Sequence, residues 1–185
     1  LLERERIGGT CLNIGCVPSK AIIRTSRLYA EMRHADQYGA QIPADIRVEF
    51  AAVMQRVRGI RARISRADSV RRLVDAGVDV FFGEASFTAT DALKVDGARL
   101  HFKKALIATG ARPDPPSIPG LAEAASLTNE KALDWTGRPR RRLVIGGAPL
   151  GAEMPQAFCG CGVQTISGQN RTPCVTRTQR KAAQH

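Results

Sequence analysis

The stretch GGTCLNIGCVPSK, residues 8–20, brings two cysteines close together in a glycine-rich setting. Cys11 and Cys16 are five positions apart. Five steps along a regular helix advance the chain by about 7.5 Å, whereas a disulfide requires Cα atoms less than about 7 Å apart. The two cysteines can therefore pair only across an irregular segment, and Gly15 allows the bend that this requires.

Three interpretations of this pair are open from the residues alone. A redox disulfide is favoured if Cys16 begins the following helix, because a helix N-terminus stabilises the thiolate needed for thiol exchange. Two buried free thiols are the second interpretation. A metal site is the third, but it needs two further ligands, and His34 is the only nearby histidine. We predict no metal ligands.

Composition restricts the class of protein. The chain has 185 residues, of which 43% are hydrophobic, so it can form a core of one domain and part of a second. No run approaches the roughly 18–20 apolar residues of a membrane span, so we predict a soluble, cytoplasmic protein. Its net charge of +11 favours phosphate-bearing partners. Five cysteines are too few for a disulfide scaffold in a chain of this length.

Helical periodicity appears in two segments. Apolar spacing predicts a helix over 17–35, a loop over 38–48 and a longer helix from Phe50 to Gly77. The arginines of RVRGIRARISRADSVRR (56–72) mostly avoid the apolar stripe, which predicts a solvated face. No aromatic residue lies among them, so the sequence favours this solvated face over nucleic-acid binding by the helix.

The pattern changes to strands after Gly77. It predicts a strand over 78–87, a hairpin over 93–102 turning at Asp96-Gly97, and a strand within 104–113 that is buried on both faces. RRLVIGGAPLGAEMPQAF (141–158) predicts a strand, a glycine turn and a helix, and VQTI (163–166) a further strand. The alternation indicates an α/β chain with a mainly parallel sheet.

The cysteine motif closely resembles the redox segment of the class I pyridine nucleotide-disulfide oxidoreductases. These are FAD flavoenzymes that include mercuric reductase, dihydrolipoamide dehydrogenase and glutathione reductase. CLNIGC is more similar to the dihydrolipoamide dehydrogenase version, and CVPSKAIIR to that of mercuric reductase. The positions that match the family motif are Gly8, Gly9, Thr10, Cys11, Asn13, Gly15, Cys16, Pro18 and Lys20.

The resemblance implies a role for individual residues. Cys16 would face the flavin as the charge-transfer thiolate, and Cys11 would be the interchange thiol that meets the substrate. ALIATGARP (105–113) resembles the family's second FAD segment, and GEASF (83–87) a segment whose alanine touches FAD. The implied FAD-binding residues are Glu3 for the adenosine ribose, and Thr10, Lys20, Ala85, Thr109 and Gly110.

The turn VIGGAPLGAE would bind NAD(P)H through Gly146, Gly147, Gly151 and Glu153. Ala148 stands at the second glycine of the fingerprint, where a methyl group obstructs the pyrophosphate. Pro155 removes a hydrogen bond inside the following helix at a cost of about 3 kcal/mol. Gly160 and Gly162 weaken the same segment. These departures predict a degraded unit that no longer binds the nucleotide.

The predicted architecture is a partial FAD/NAD(P)-binding, doubly wound (Rossmann-like) fold with a β-hairpin insertion and an incomplete second nucleotide-binding unit. Residues 1–137 form the FAD-binding part, without its N-terminal glycine-rich turn. Residues 138–167 begin the NAD(P)-binding part, and 168–185 form a disordered or degenerate tail. The chain is predicted to be a fragment, inactive by itself and weak in FAD binding. The whole family member is expected to be a homodimer.

The function that follows is electron transfer from NAD(P)H through FAD to the Cys11–Cys16 disulfide. The resulting dithiol would reduce a thiol or disulfide compound or a metal ion such as Hg(II). A dihydrolipoamide dehydrogenase-type activity is the alternative within the family. Outside the family, the alternative is a non-catalytic basic remnant or a nucleic-acid-binding protein.

Overall fold

The computed structural model describes residues 1–43 and 45–168. The tail predicted for 168–185 lies outside these residues except for Gly168, which ends a strand. A 3-10 turn, Ala35–Tyr38, follows the second helix. The α-helices are α1 (Gly9–Asn13), α2 (Cys16–Arg33), α3 (Phe50–Ala67), α4 (Val70–Asp75), α5 (Asn129–Ala132) and α6 (Pro149–Gly160).

Helix α2 confirms the helix predicted over 17–35, with Pro18 in its first turn, where a missing N–H group costs no hydrogen bond. The single long helix predicted from Phe50 to Gly77 is wrong, because the chain breaks it between α3 and α4. The hydroxyl of Ser69 accepts a hydrogen bond from the Arg72 N–H at 3.4 Å. Serine favours such a cap over a helix interior, so a second helix begins there.

The core lies between α2, α3 and α6. Ile22 and Met54 are completely buried, and the ring of Phe158 is 6.4 Å from that of Phe50 and 6.5 Å from that of Trp135. The apolar periodicity of α2 and α3 therefore does direct one face of each helix inward. The buried cluster consists of Ala21, Ile22, Phe50, Val53, Met54, Val57, Leu133, Met154, Ala157, Phe158, Cys161 and Val163.

Arginines of α3 donate hydrogen bonds to other segments of the chain. Arg56 donates to the Ala21 carbonyl at 3.2 Å, and Arg58 donates to the Trp135 carbonyl at 3.3 Å. Arg56 is nevertheless exposed, as the solvated face predicts, whereas Arg58 is half-buried and departs from that prediction, because its long stem reaches a neighbouring segment. Arg63, by contrast, is exposed as expected.

The strands form three small sheets. β1 and β2 pair in parallel, β3, β4 and β5 form an antiparallel sheet, and β6 and β7 pair in parallel. The strand predicted over 78–87 is divided at Gly83, whose φ of 136° does not fit a continuous strand. The bounds are β1 (Leu2–Glu3), β2 (Phe81–Phe82), β3 (Ala85–Ala89), β4 (Ala92–Val95), β5 (Ala98–His101), β6 (Arg141–Ile145) and β7 (Gln164–Gly168).

The hairpin predicted over 93–102 is confirmed. Asp96 and Gly97 have φ values of 44° and 85°. A type I′ turn requires positive φ at both central residues, which explains the Asp-Gly pair. Val95 and Ala98 are directly opposed across the turn.

The strand predicted within 104–113 is wrong. These residues belong to no helix or strand, and the side chains of Leu106 and Ile107 are 92% and 70% exposed. A strand buried on both faces needs a neighbour on each side, and no described strand pairs with this segment. The parallel pairs β1–β2 and β6–β7 belong to separate sheets. The predicted mainly parallel sheet is therefore divided.

The strand, turn and helix predicted over 141–158 are confirmed as β6 and α6, and the strand at VQTI as part of β7. Helix α6 packs against α2, so one core serves segments on both sides of residue 137. The proposed boundary between 137 and 138 stays a prediction. Among the residues that the structure describes, no helix has both the length and the apolarity to cross a membrane.

Candidate functional site

A disulfide joins Cys11 in α1 to Cys16 at the first position of α2. Their Cα atoms are 4.6 Å apart, well within the reach of a disulfide. The helices stop on either side of Ile14 and Gly15, so the segment between the cysteines is not regular helix. This confirms the prediction that the pair closes across an irregular turn.

Gly15 is required here by the close approach of the backbone. A Cβ atom at this position would lie 3.1 Å from the carbonyl oxygen of Thr10 and 3.6 Å from the Cα atom of Cys11. A larger residue would force the Thr10 carbonyl to shift by a few tenths of an ångström and so disturb the approach of α1 to the start of α2. The glycine between the two thiols is therefore part of the geometry that closes the disulfide.

The two sulfur-bearing residues differ in their access to solvent. Cys11 is exposed, whereas Cys16 is half-buried. Cys16 also lies at the N-terminus of an 18-residue helix, where unpaired N–H groups favour a negative charge. The difference suits an outer thiol that meets the substrate and an inner thiolate, although these roles stay predictions.

The segments predicted to bind FAD converge beside this loop. A Cβ atom on Gly110 would lie 3.2 Å from the hydroxyl of Thr10. The Arg112 guanidinium is 3.4 Å from the Glu5 carboxylate, and the Gly83 N–H donates to the Glu3 carbonyl at 3.0 Å. Of these contacts, the one between Gly110 and Thr10 reaches the redox loop itself.

The remaining predicted FAD residues occupy the edges of this region. One carboxylate oxygen of Glu3 accepts hydrogen bonds from the N–H groups of Glu5 and Arg6, at 2.9 and 3.2 Å. Lys20 is exposed in α2, one turn after Cys16.

Ala85 begins β3 and is exposed, and Thr109 is exposed beside Gly110. Gly110 has no side chain to cover the Thr10 hydroxyl, which a Cβ atom would approach to 3.2 Å, and an uncovered hydroxyl can hydrogen-bond to a flavin. Thr10 and Thr109 are both exposed. The residues themselves are consistent with an FAD contact, and their individual roles stay predictions.

The candidate NAD(P)H turn lies between β6 and α6. Gly146 has a φ of 130°, and a Cβ atom on Gly151 would lie 2.9 Å from the Gly146 carbonyl carbon. Glycine is therefore required at both positions by the backbone. Gly147 is exposed, Ala148 caps the helix, and Glu153 is exposed on α6. The backbone of the turn therefore depends on these two glycines, and Ala148 remains its departure from the fingerprint.

Helix α6 continues through Pro155, contrary to the predicted disruption of this segment. The ring of Phe158 and the side chain of Met154 are buried against α2 and α3, and this packing holds the helix together. Tertiary contacts therefore outweigh the missing N–H group of the proline.

Sequence reasoning missed three polar residues that hold the redox loop. Arg61 donates to the carbonyl of Asn13 at 3.2 Å, and Asn129 donates to the carbonyl of Ile14 at 3.1 Å. Arg61 also pairs with Asp134 at 3.3 Å. These partners are far apart in the chain, and no local pattern marks them, so only the tertiary structure could identify them.

The cysteines of α6 lie apart from this site. Cys159 is exposed and Cys161 is buried, and both are free thiols. Burial raises the pKa of the Cys161 thiol, and the nearby positive charge of Arg33 partly opposes that rise. Cys174 lies outside the described residues. Within the described ranges, no three His, Cys, Asp or Glu side chains are grouped as a metal site would require.

The fold is that of the flavoprotein disulfide reductases. A solved structure of the HOCl-induced flavoprotein disulfide reductase RclA from Escherichia coli, as its Cu(II) complex, matches 100% of this chain with a TM-score of 0.81. The match covers 40% of the RclA chain at 23% sequence identity. It supports the predicted FAD/NAD(P)-binding, Rossmann-like class, of which this chain has a part.

The chain belongs to the pyridine nucleotide-disulphide oxidoreductase family, whose sequence model matches residues 1–184. It is 34% identical over 164 residues to the mercuric reductase of Staphylococcus aureus, covering 89% of this chain and 30% of that protein. Against the mercuric reductase of Serratia marcescens it is 36% identical over 179 residues, covering 92% and 38%.

A dihydrolipoyl dehydrogenase is also similar to this chain. The Mycoplasma pneumoniae protein is 28% identical over 178 residues, covering 92% of this chain and 38% of that protein. The chain therefore spans about a third of the length of these relatives. The family resemblance predicted from the cysteine motif is confirmed.

Proposed function

We propose that this chain carries the disulfide-exchange segment of an FAD-dependent NAD(P)H:disulfide oxidoreductase. The observation that carries the proposal is the Cys11–Cys16 disulfide, which closes a turn at the N-terminus of α2 and leaves Cys11 exposed. Membership of the family supports the same chemistry. The full enzyme would be a cytoplasmic homodimer.

The cofactor assignments form part of this proposal. When bound, the flavin supplies to the disulfide the two electrons that it takes from NAD(P)H. The intact helix α6 supports nucleotide binding over the predicted loss of it, so the turn with Gly146, Gly147, Gly151 and Glu153 would hold the nicotinamide nucleotide. The residues that would hold FAD are Glu3, Thr10, Lys20, Ala85, Thr109 and Gly110.

The exchange step uses the different exposure of the two thiols. In the reduced protein, the Cys11 thiolate attacks a substrate disulfide, forms a mixed disulfide and releases one substrate thiol. The Cys16 thiolate then attacks Cys11, because the two Cα atoms are only 4.6 Å apart. This second step releases the other substrate thiol and restores the protein disulfide. The substrate gains two electrons and two protons.

The leading substrate class is a metal ion, Hg(II), because mercuric reductases are 34% and 36% identical to this chain. Two adjacent thiolates suit a soft metal ion. A dithiol or disulfide compound is the alternative, supported by the likeness to dihydrolipoyl dehydrogenase. In either case, Cys11 is the thiol that an incoming substrate meets first.

The test is an absorbance measurement on the purified chain in a large excess of FAD, because FAD binding by this chain is expected to be weak. After two-electron reduction, the wild-type protein is expected to show a long-wavelength band from the Cys16 thiolate beside the flavin, and Cys16→Ser to lack it. Cys11→Ser frees the Cys16 thiolate and should show the band without reduction. Cys159→Ser, which changes an exposed thiol outside the site, serves as the matched control.

A second candidate function, nucleic-acid binding, rests on the charge of +11 and on a basic pocket of about 320 Å³. Arg138, Arg140 and Arg141 line this pocket together with Gly162 and Gln164. A protein that stays colourless with FAD and shifts DNA with a steep salt dependence would favour this function and contradict the redox proposal.

A further inference from the structure

The backbone between the two redox cysteines is held by side chains from distant parts of the chain. Arg61 of α3 donates to the carbonyl of Asn13 at 3.2 Å. Asn129 of α5 donates to the carbonyl of Ile14 at 3.1 Å. Both carbonyls lie within the turn between Cys11 and Cys16, where regular helix is interrupted and cannot supply all the donors.

The two donors, Arg61 and Asn129, are connected through residues 129–134. One carboxylate oxygen of Asp134, Oδ1, accepts from both terminal nitrogens of Arg61, at 3.3 and 3.4 Å, which restricts the orientation of the guanidinium. Asp134 follows Leu133, which is 2% exposed in the core, and Asn129 lies at the start of the same segment. Residues 129–134 therefore connect the turn to the hydrophobic core.

Partial burial strengthens this arrangement. The Arg61 side chain is 22% exposed, the lowest exposure of any charged side chain in the ion pairs of the described residues. Hydrogen bonds from a charged donor are stronger than neutral ones, and limited solvent access reduces competition from water. Because Asp134 balances the charge of Arg61, we expect its main effect on the cysteines to come from backbone geometry.

We infer that Arg61 and Asn129 are positioning residues that hold the redox turn closed in both oxidation states. This inference rests on the proposed exchange function of Cys11 and Cys16. When the disulfide is reduced, a free turn gains conformational entropy and the thiols separate. A turn held at Asn13 and Ile14 keeps the thiols close, so re-forming the disulfide costs less. The two side chains therefore favour the disulfide over the dithiol.

The experiment measures this preference in glutathione buffers without FAD. One protein disulfide and two glutathione molecules give two protein thiols and one glutathione disulfide. The reaction is quenched by alkylation, and the peptide with Cys11 and Cys16 is quantified by mass, so the other cysteines do not interfere. The readout is the equilibrium constant for forming the disulfide in the full chain.

Arg61→Met and Asn129→Ala are each expected to lower this constant by three- to tenfold, where tenfold corresponds to about 30 mV. Arg61→Lys should recover part of the loss, because its ammonium group keeps a donor for the Asn13 carbonyl. Arg63→Met is the matched control: it removes the same charge from the same helix, and Arg63 makes no hydrogen bond or ion pair among the described residues.

Equal constants for Arg61→Met and Arg63→Met would overturn the inference while leaving the exchange function intact. A wild-type disulfide that no glutathione ratio reduces would instead contradict the proposed function, and the inference with it. Circular dichroism of each variant identifies any loss of fold. Asp134→Asn keeps the shape of the side chain but weakens its ion pair with Arg61, so it should give an intermediate shift. An unchanged equilibrium constant in Arg61→Met, Arg61→Lys, Asn129→Ala and Asp134→Asn overturns the inference.

Discussion

Gly160, the last residue of α6, lies directly against Ser26 of α2. A Cβ atom at this position would overlap the Ser26 hydroxyl and would lie 3.1 Å from the Ser26 Cβ atom. The glycine that weakens helix propensity is therefore the residue that lets the two helices touch. Such a contact explains why a weak helix former stands at a helix end.

Gly160→Ala is expected to lower the free energy of unfolding by about 1–3 kcal/mol, because overpacking forces α2 and α6 apart. Urea denaturation followed by circular dichroism measures the change. Gly59→Ala is the matched control, since no atom lies within 4 Å of its Cβ position in α3. That change should stabilise the protein by about 0.5–1 kcal/mol. Equal effects at the two positions would contradict the role of Gly160.

At the scale of the element, α6 shows how packing overrides a local defect. Pro155 has no N–H group to donate to the carbonyl of Gly151, yet the helix continues to Gly160. Pro149 occupies the first position of the same helix, where the ring is already suited to the backbone. The same residue type therefore has opposite consequences at two positions in one element.

Replacing Pro155 by alanine is expected to raise the free energy of unfolding by roughly 1–3 kcal/mol, since it restores a hydrogen bond and removes a steric clash. Thermal and urea unfolding provide the measurement. Pro149→Ala should change stability by less than about 0.5 kcal/mol. A loss of stability in Pro155→Ala would mean that the proline ring contributes more by packing than it costs.

At the scale of the molecule, one core joins the predicted FAD-binding part to the predicted NAD(P)-binding part. Phe158 of α6 is 1% exposed and packs among residues of α2 and α3. The guanidinium of Arg142 in β6 lies 3.5 Å from the centre of the Trp135 ring and 4.2 Å from that of Phe158. Burial lowers the pKa of Arg142 to about 10. Both predicted parts therefore contribute to the same packed centre.

Phe158→Leu is expected to destabilise the whole chain by about 1–2 kcal/mol and to shift every probe of unfolding together. Trp135 fluorescence reports on the core, and circular dichroism reports on the helices. Leu106→Ala, at a side chain that is 92% exposed, should have no measurable effect. Separate transitions for the two probes would contradict a shared core.

The sequence by itself determined the features that depend on neighbouring residues. The Asp96-Gly97 turn follows from the positive φ values that a two-residue hairpin needs. The start of α2 follows from apolar spacing and Pro18, and the cysteine motif identified the family. It also predicted an irregular turn between the cysteines, because a regular helix keeps them too far apart.

The tertiary structure decided which side chains meet across long stretches of chain. It assigned Arg61 and Asn129 to the redox turn, because hydrogen bonds between distant segments leave no periodic pattern in the sequence. It also left the apolar run around Leu106 outside any sheet. An apolar run alone does not make a strand, since a strand exists only where another strand accepts its hydrogen bonds.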